Sequence, residues 1–115
     1  MKKKILVILL LVLASIGLTA CTNNGEKLND SEMFKEEYES FNSKENDYFK
    51  YRNLSIDKNN PFIYTTAEDI VNKIENKETF IVYFGDPECP WCRSVIEQAI
   101  KSASENSVEK IYYVR

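Results

Sequence analysis

Phe80-Ile81-Val82-Tyr83-Phe84-Gly85-Asp86-Pro87-Glu88-Cys89-Pro90-Trp91-Cys92 is the stretch on which the reading of this chain turns. Its first five residues form an apolar run, as expected for a strand buried on both faces of a sheet. Gly85 to Glu88 breaks that strand, and the segment behind the cysteines reads as a helix. The Cys-x-x-Cys pair therefore falls at a helix N-terminus. Unpaired backbone N–H groups and the positive end of the helix dipole favour the thiolate over the thiol there, and the thiolate is the form that attacks a disulfide.

Working outward from this stretch, Val95, Ile96, Ala99, Ile100 and Ala103 make the apolar side of the helix that follows, and Lys110 to Val114 reads as another strand. Upstream, Phe62-Ile63-Tyr64 is a short strand candidate after Pro61. Thr65-Thr66-Ala67-Glu68 then has the Thr-x-x-Glu form of a capping box. The helix it opens carries Ile70, Val71 and Ile74 on one face, and Asn76 to Glu78 supply its end. The order strand, helix, strand, Cys-x-x-Cys helix, strand predicts an α/β fold with two parallel βαβ-like connections.

Further upstream, Phe34, Tyr38 and Phe41 recur at helical spacing from Ser31, a candidate N-cap, with Glu36 and Glu37 on the outer face. Asn42 to Asp47 is rich in turn residues, and Tyr51 to Ile56 alternates around Leu54 and Ile56 as a strand candidate. The aromatic stripe reads as packing surface.

Composition excludes several chemistries. The chain has three cysteines and no histidine among 115 residues, so a Cys-His protease pair, a serine hydrolase triad and a Cys2His2 zinc site cannot form within it. The formal net charge is −3. An acidic chain is a poor binder of nucleic acid, which needs clustered Lys and Arg.

The N-terminus indicates where the protein works. Met1 to Lys4 is basic, Ile5 to Ala14 is an uninterrupted apolar run, and Leu18-Thr19-Ala20-Cys21 closes it with small residues before a cysteine. This resembles a bacterial lipoprotein signal, in which Cys21 receives a diacylglyceryl group and becomes the first mature residue. Ser15, Gly17 and Thr19 interrupt the apolar stretch well short of the ~20 residues that a spanning helix needs. Removal of Lys2, Lys3 and Lys4 would lower the 15 basic residues to 12 against 18 acidic ones, a formal charge of −6. Lipidation would also leave Cys89 and Cys92 as the free thiols of an extracytoplasmic, membrane-anchored protein, in a compartment where disulfides persist. The expected organisation is a signal peptide over residues 1–20, a lipidated flexible tether over 21–30, an N-terminal extension over 31–61 and a redox module over 62–115.

The segment from Phe80 to Arg93 resembles the active-site region of the thioredoxin superfamily. More narrowly, Tyr83-Phe84-Gly85 followed by Cys-Pro-Trp-Cys-Arg is similar to thioredoxin-like lipoproteins and bacteriocin transport accessory proteins of Gram-positive bacteria. The resemblance covers close to half the chain, from about Phe62 to Arg115. It implies a partial thioredoxin-like fold and a thiol-disulfide oxidoreductase without cofactor. Cys89 would be the exposed nucleophile and Cys92 the resolving thiol, with Pro90 and Trp91 shaping the first turn. Its partners would be disulfide-containing or dithiol protein substrates and a redox partner protein. Asp86 and Glu88 would disfavour a thiolate, and Arg93 would favour it.

Three departures stand against the family pattern. Tyr83 occupies the place of a buried acid that helps move the resolving thiol's proton, and Glu97 that of a helix-kinking proline, which predicts a straighter helix. Thioredoxin-fold proteins also continue into a cis-proline loop, a hairpin and a last helix, whereas this sequence stops at Arg115. The expectation is a C-terminally truncated domain, incomplete for efficient catalysis, in which Phe34, Tyr38, Phe41 and Leu54 help by packing on the open sheet.

Other readings of the cysteine pair are weaker. A zinc site takes about four ligands, which two thiols without histidine do not supply. A structural clip between residues three apart restrains little of the unfolded chain. The alternative from a different class is a lipid-anchored accessory or binding protein, for bacteriocin export for example, whose thiols are not catalytic.

Overall fold

The computed structural model describes residues 29–115. The signal segment, Cys21 and the tether up to residue 28 lie outside the described residues. Three helices and three strands follow one another as α1 (Asp30–Glu39), β1 (Phe62–Tyr64), α2 (Ala67–Glu75), β2 (Val82–Phe84), α3 (Pro90–Glu105) and β3 (Ile111–Val114). The strands form one parallel sheet of order β1-β3-β2, so the last strand in sequence is the central one. No helix among the described residues is long and apolar enough to cross a membrane.

The helix starts differ from the sequence expectation by one or two residues, each for a visible reason. α1 is capped by Asn29, whose side chain accepts from the Glu32 N–H while the Glu32 carboxylate accepts from the Asn29 N–H. Ser31, the expected cap, donates its hydroxyl to the Asn60 carbonyl at 2.6 Å. The last two residues assigned to the tether therefore belong to the fold. For α2, the cap is Thr66 with Asp69 rather than Thr65 with Glu68. Thr65 still donates its N–H to the Tyr113 carbonyl at 2.9 Å, which keeps it in strand pairing.

Register decides which side chains meet. Phe62 is level with Ile111, and Tyr64 and Tyr83 are level with Tyr113, so these five side chains share one face of the sheet. Phe34 and Tyr38 of α1, Leu54 and Ile56, and Ile96 and Ala103 of α3 close over that face to form the core. Phe34 stacks on Phe62 with ring centroids 4.0 Å apart and meets Tyr113 edge-on at 5.0 Å. Each fully buried side chain of this size stabilises by roughly 1.5–3 kcal/mol, and each aromatic pair adds about 0.5–1.5 kcal/mol. α1 thus belongs to the same core as the sheet and α3. Phe41, also expected in this packing, pairs with Tyr51 at 5.2 Å instead.

The opposite face is more open. Lys73 of α2 lays its ammonium over the Tyr112 ring at 4.6 Å, and Ile70 is buried, but Val71 and Ile74 are exposed. The run Phe80 to Phe84, expected to be buried on both faces, is a three-residue edge strand with Phe84 59% exposed. Its place at the end of the order β1-β3-β2 and the partial cover from α2 account for this difference.

Tyr51 to Ile56 does not form the expected strand. Side chains serve its backbone instead: Asn42 accepts from the Leu54 N–H at 2.9 Å and donates to the Leu54 carbonyl at 2.8 Å. Glu39 accepts from the Ile56 N–H at 2.7 Å, and Glu97 from the Ser55 N–H at 3.1 Å. Leu54 and Ile56 are thereby turned into the core. Glu37, expected on the outer face of α1, instead bonds the Tyr64 hydroxyl and the Arg115 guanidinium.

Burial pushes the Glu39 carboxyl up, but Lys35, the Ile56 N–H and the attraction of the Lys35 charge together hold it below its usual value. A depressed folded-state value contributes stability above the ordinary carboxylate range and loses it as pH falls through the folded value. Glu39→Gln is expected to cost about 1–2 kcal/mol at pH 7. Urea denaturation should show the gap from the parent closing as pH falls from about 5 towards 3.

Candidate active site

Cys89 is the N-cap of α3. Its φ of −73° and ψ of 119° keep it out of the helix while its sulfur accepts from the Cys92 N–H at 3.4 Å. Pro90 follows at the first helical position, where a missing N–H leaves nothing unpaired. The approach to the cysteine is a tight loop: Gly85 donates to the Val114 carbonyl, Asp86 accepts from the Glu88 N–H, and Cys89 donates to the Asp86 carbonyl. Both cysteines are free and half-buried, whereas Trp91 between them is 82% exposed.

The Cys89 thiol ionises below its ordinary value. A hydrogen bond from the Cys92 side chain is the largest cause, followed by the Cys92 N–H, with the Trp91 N–H adding to it. Burial and the Asp86 carboxylate oppose the shift. Asp86 is itself paired with Arg115 at 3.5 Å. Cys89, Cys92, Pro90 and Trp91 are thus brought together at one helix start, and Asp86 weakens the thiolate as expected.

Arg93 does something else. Expected beside the thiolate as a favourable cation, its side chain is instead fully buried and bonds the N-terminal segments. Its Nε donates to the Arg52 carbonyl at 3.1 Å, Nη1 to the Tyr38 and Pro87 carbonyls at 2.7 and 3.0 Å, and Nη2 to Asn42 Oδ1 and the Arg52 carbonyl at 3.0 and 2.6 Å. Every N–H of the guanidinium has a partner. Burial pulls its pKa down from its usual high value. The spacing Arg93, Ile96, Ile100 and Ala103 was a legible signal that this cation lies on the buried stripe of the helix.

Tyr83 is the second residue whose role emerges from the structure. Its hydroxyl donates to the Cys92 carbonyl at 3.0 Å. Its ring stacks on Tyr113 and fills the space beside Gly85, where a Cβ would stand 2.5 Å from Tyr83 Cε1. Gly85 is required there by close approach. Glu97, in the middle of α3, lies in an unbroken helix and pairs with Arg52 at 3.2 Å. Among the described residues, no three Cys, Asp or Glu side chains gather into a set that could hold a metal ion.

No protein-family model matches this chain, and neither a curated protein nor a solved structure matches it. The structure defines a small mixed α/β protein with a parallel three-stranded sheet and a dithiol at a helix start.

Two outcomes follow from this geometry. Arg93→Ala removes the donor to the Arg52 and Pro87 carbonyls and one donor each to the Tyr38 carbonyl and the Asn42 side chain, and is expected to cost about 3 kcal/mol or more in urea denaturation. Arg93→Lys should recover only part, because an ammonium offers three donors in place of five. In iodoacetamide kinetics followed by mass spectrometry near pH 7, Cys89 is expected to react faster than a cysteine in an unstructured peptide. Cys92→Ala should remove most of that advantage.

Proposed function

We propose that this chain is a membrane-anchored, extracytoplasmic thiol-disulfide oxidoreductase of thioredoxin-like fold that acts through Cys89 and Cys92. The observation that carries the reading is the Cys89 thiol at the cap of α3, ionising below its ordinary value because the Cys92 side chain and backbone both donate to it. The parallel sheet of order β1-β3-β2, with the dithiol directly behind β2, supports a thioredoxin-like arrangement. The lipoprotein-type N-terminus supports the anchored location.

The exchange balances as two displacements. The Cys89 thiolate attacks one sulfur of a protein disulfide, forming a mixed disulfide and expelling the other substrate sulfur as a thiolate. Cys92, once deprotonated, attacks the Cys89 sulfur, closes the Cys89–Cys92 disulfide and releases the second substrate thiolate. The substrate gains two electrons and the dithiol loses two. A dithiol redox partner protein restores the reduced form by the same displacements in reverse order. Trp91, exposed beside the nucleophile, offers an apolar contact for an extended substrate segment.

A second reading, a lipid-anchored accessory protein with non-catalytic thiols, draws on the exposure of Phe84 at the end of β2 and of Trp91 between the cysteines. Trapping separates the two. Cys92→Ser is expected to accumulate mixed disulfides through Cys89, seen as adducts on non-reducing gels, and Cys89→Ser to accumulate none. Absence of adducts with Cys92→Ser, together with unchanged partner binding by Cys89→Ser, would favour the accessory reading.

A further inference from the structure

The loop before the dithiol carries a carboxylate that works against it. The Cys89 N–H donates to the Asp86 carbonyl at 3.1 Å, which closes a turn over residues 86–89. Within that turn Asp86 Oδ1 accepts from the Glu88 N–H at 2.7 Å. This bond ties the carboxylate to the backbone one residue ahead of the cysteine, and covalent geometry then keeps it within roughly 8 Å of the Cys89 Cα. A negative charge so placed disfavours a second one on the sulfur. Asp86 accordingly opposes the fall in the Cys89 ionisation.

Arg115 meets this charge from the central strand. It directly follows β3, and the Gly85 N–H bond to the Val114 carbonyl fixes the end of that strand against the start of the loop. Arg115 Nε lies 3.5 Å from Asp86 Oδ2. Its Nη1 donates to the Glu37 carboxylate of α1, which also accepts from the Tyr64 hydroxyl. The guanidinium is therefore anchored on the side away from Asp86 as well. No other cation around the cysteine takes its place. Arg93 commits its donors to carbonyls and to Asn42, and Glu88, exposed in the same loop, is a second carboxylate. Cys92 of α3 donates its N–H to the Cys89 sulfur at 3.4 Å. Tyr38 of α1, Tyr64 of β1, Tyr83 of β2 and Tyr113 of β3 are raised by burial and stay neutral where thiols titrate.

We propose that Arg115 is a positioning residue for the attacking thiol: its ion pair with Asp86 offsets the carboxylate in the turn before Cys89 and so favours the Cys89 thiolate. Taking Cys89 as the attacking thiol rests on the exchange reading above. The proton of Cys89 passes to solvent before the sulfur attacks, and Arg115 acts on that ionisation through Asp86. Both partners of the pair are half exposed, so the effect is modest and sensitive to salt.

The test is the pH dependence of Cys89 alkylation by iodoacetamide in the full chain, held in non-ionic detergent at low salt and followed by peptide-resolved mass spectrometry. In this reaction the thiolate forms the S–C bond as the C–I bond breaks, and iodide leaves with the electron pair. Arg115→Gln is expected to move the midpoint upward and to slow alkylation near pH 7 by roughly two- to fivefold. Arg115→Lys should recover most of the loss. Asp86→Asn keeps the oxygen that accepts from Glu88 but removes the charge, and should move the midpoint downward. Adding Arg115→Gln to Asp86→Asn should then change nothing further. The gap between Arg115→Gln and the parent should also narrow as ionic strength rises from about 0.02 to 0.5 M. An unchanged midpoint in Arg115→Gln, or an equal shift with and without the Asp86 carboxylate, would overturn the proposal. Oxidised glutathione separates the two readings. Absence of any mixed disulfide at the parent Cys89, with the Arg115→Gln shift intact, would overturn the exchange reading and leave the action of Arg115 on the thiol standing.

Discussion

The guanidinium of Arg93 joins segments that have little else in common. Its five donors reach the end of α1 at Tyr38, the turn at Asn42, the segment at Arg52 and the loop carbonyl of Pro87, two residues before Cys89. A charged group with no solvent exposure is costly unless its hydrogen-bonding capacity is filled, and carbonyl dipoles fill it here. The arrangement is mutual, because the guanidinium supplies the Pro87 and Arg52 carbonyls with donors in turn. Through this one side chain, the placement of the N-terminal region and the shape of the loop before Cys89 become a single problem with a single solution. The helix that carries the dithiol is also the helix that anchors the N-terminal segments, since Glu97 continues the work four residues on through Arg52 and the Ser55 N–H.

How much of this was legible in the sequence follows from what each signal depends on. The order of strands and helices from Phe62 to Val114 could be read because apolar periodicity and turn residues are local, and the dithiol could be placed because a helix start is local too. The cap of α2 was displaced by one residue because Thr65 is held in strand pairing by Tyr113, a residue 48 positions away that no local pattern reveals. Leu54 was expected to pack on the sheet and does so, with Ile56 beside it in the core, but the strand expected over Tyr51 to Ile56 does not form. Their backbone partners are the side chains of Asn42, Glu39 and Glu97, and side-chain partnership of that kind leaves no periodicity. The expectation for Arg93 failed because charge was weighed by proximity in sequence, whereas its direction is set by the helix face on which it sits.

The inner face of the sheet is unusual in being lined by phenols. Tyr38, Tyr64, Tyr83 and Tyr113 meet there, each raised above its ordinary ionisation chiefly by burial, with Tyr113 pushed up to about 12. Such rings fill volume as phenylalanine would, while their hydroxyls supply hydrogen bonds that carry no charge at any pH the protein meets. Tyr64 reaches Glu37, Tyr113 reaches the Gly85 carbonyl, and Tyr83 reaches Cys92. Part of the polar requirement of the loop and of the Cys92 backbone is thereby met from inside an apolar core by neutral hydroxyls.

Gly85 and Tyr83 share one volume, since the place a Cβ would take at residue 85 already lies within 3.0 Å of three atoms of the phenol. A side chain at the first position and an aromatic ring at the second are therefore alternatives. Variation at the two sites should be inherited together: a lineage that gains alanine or serine at position 85 must shrink or re-aim residue 83, and with it surrender the hydroxyl bonded to Cys92. The two residues act as one heritable character, and the hydroxyl bond to the Cys92 carbonyl is the trait it encodes.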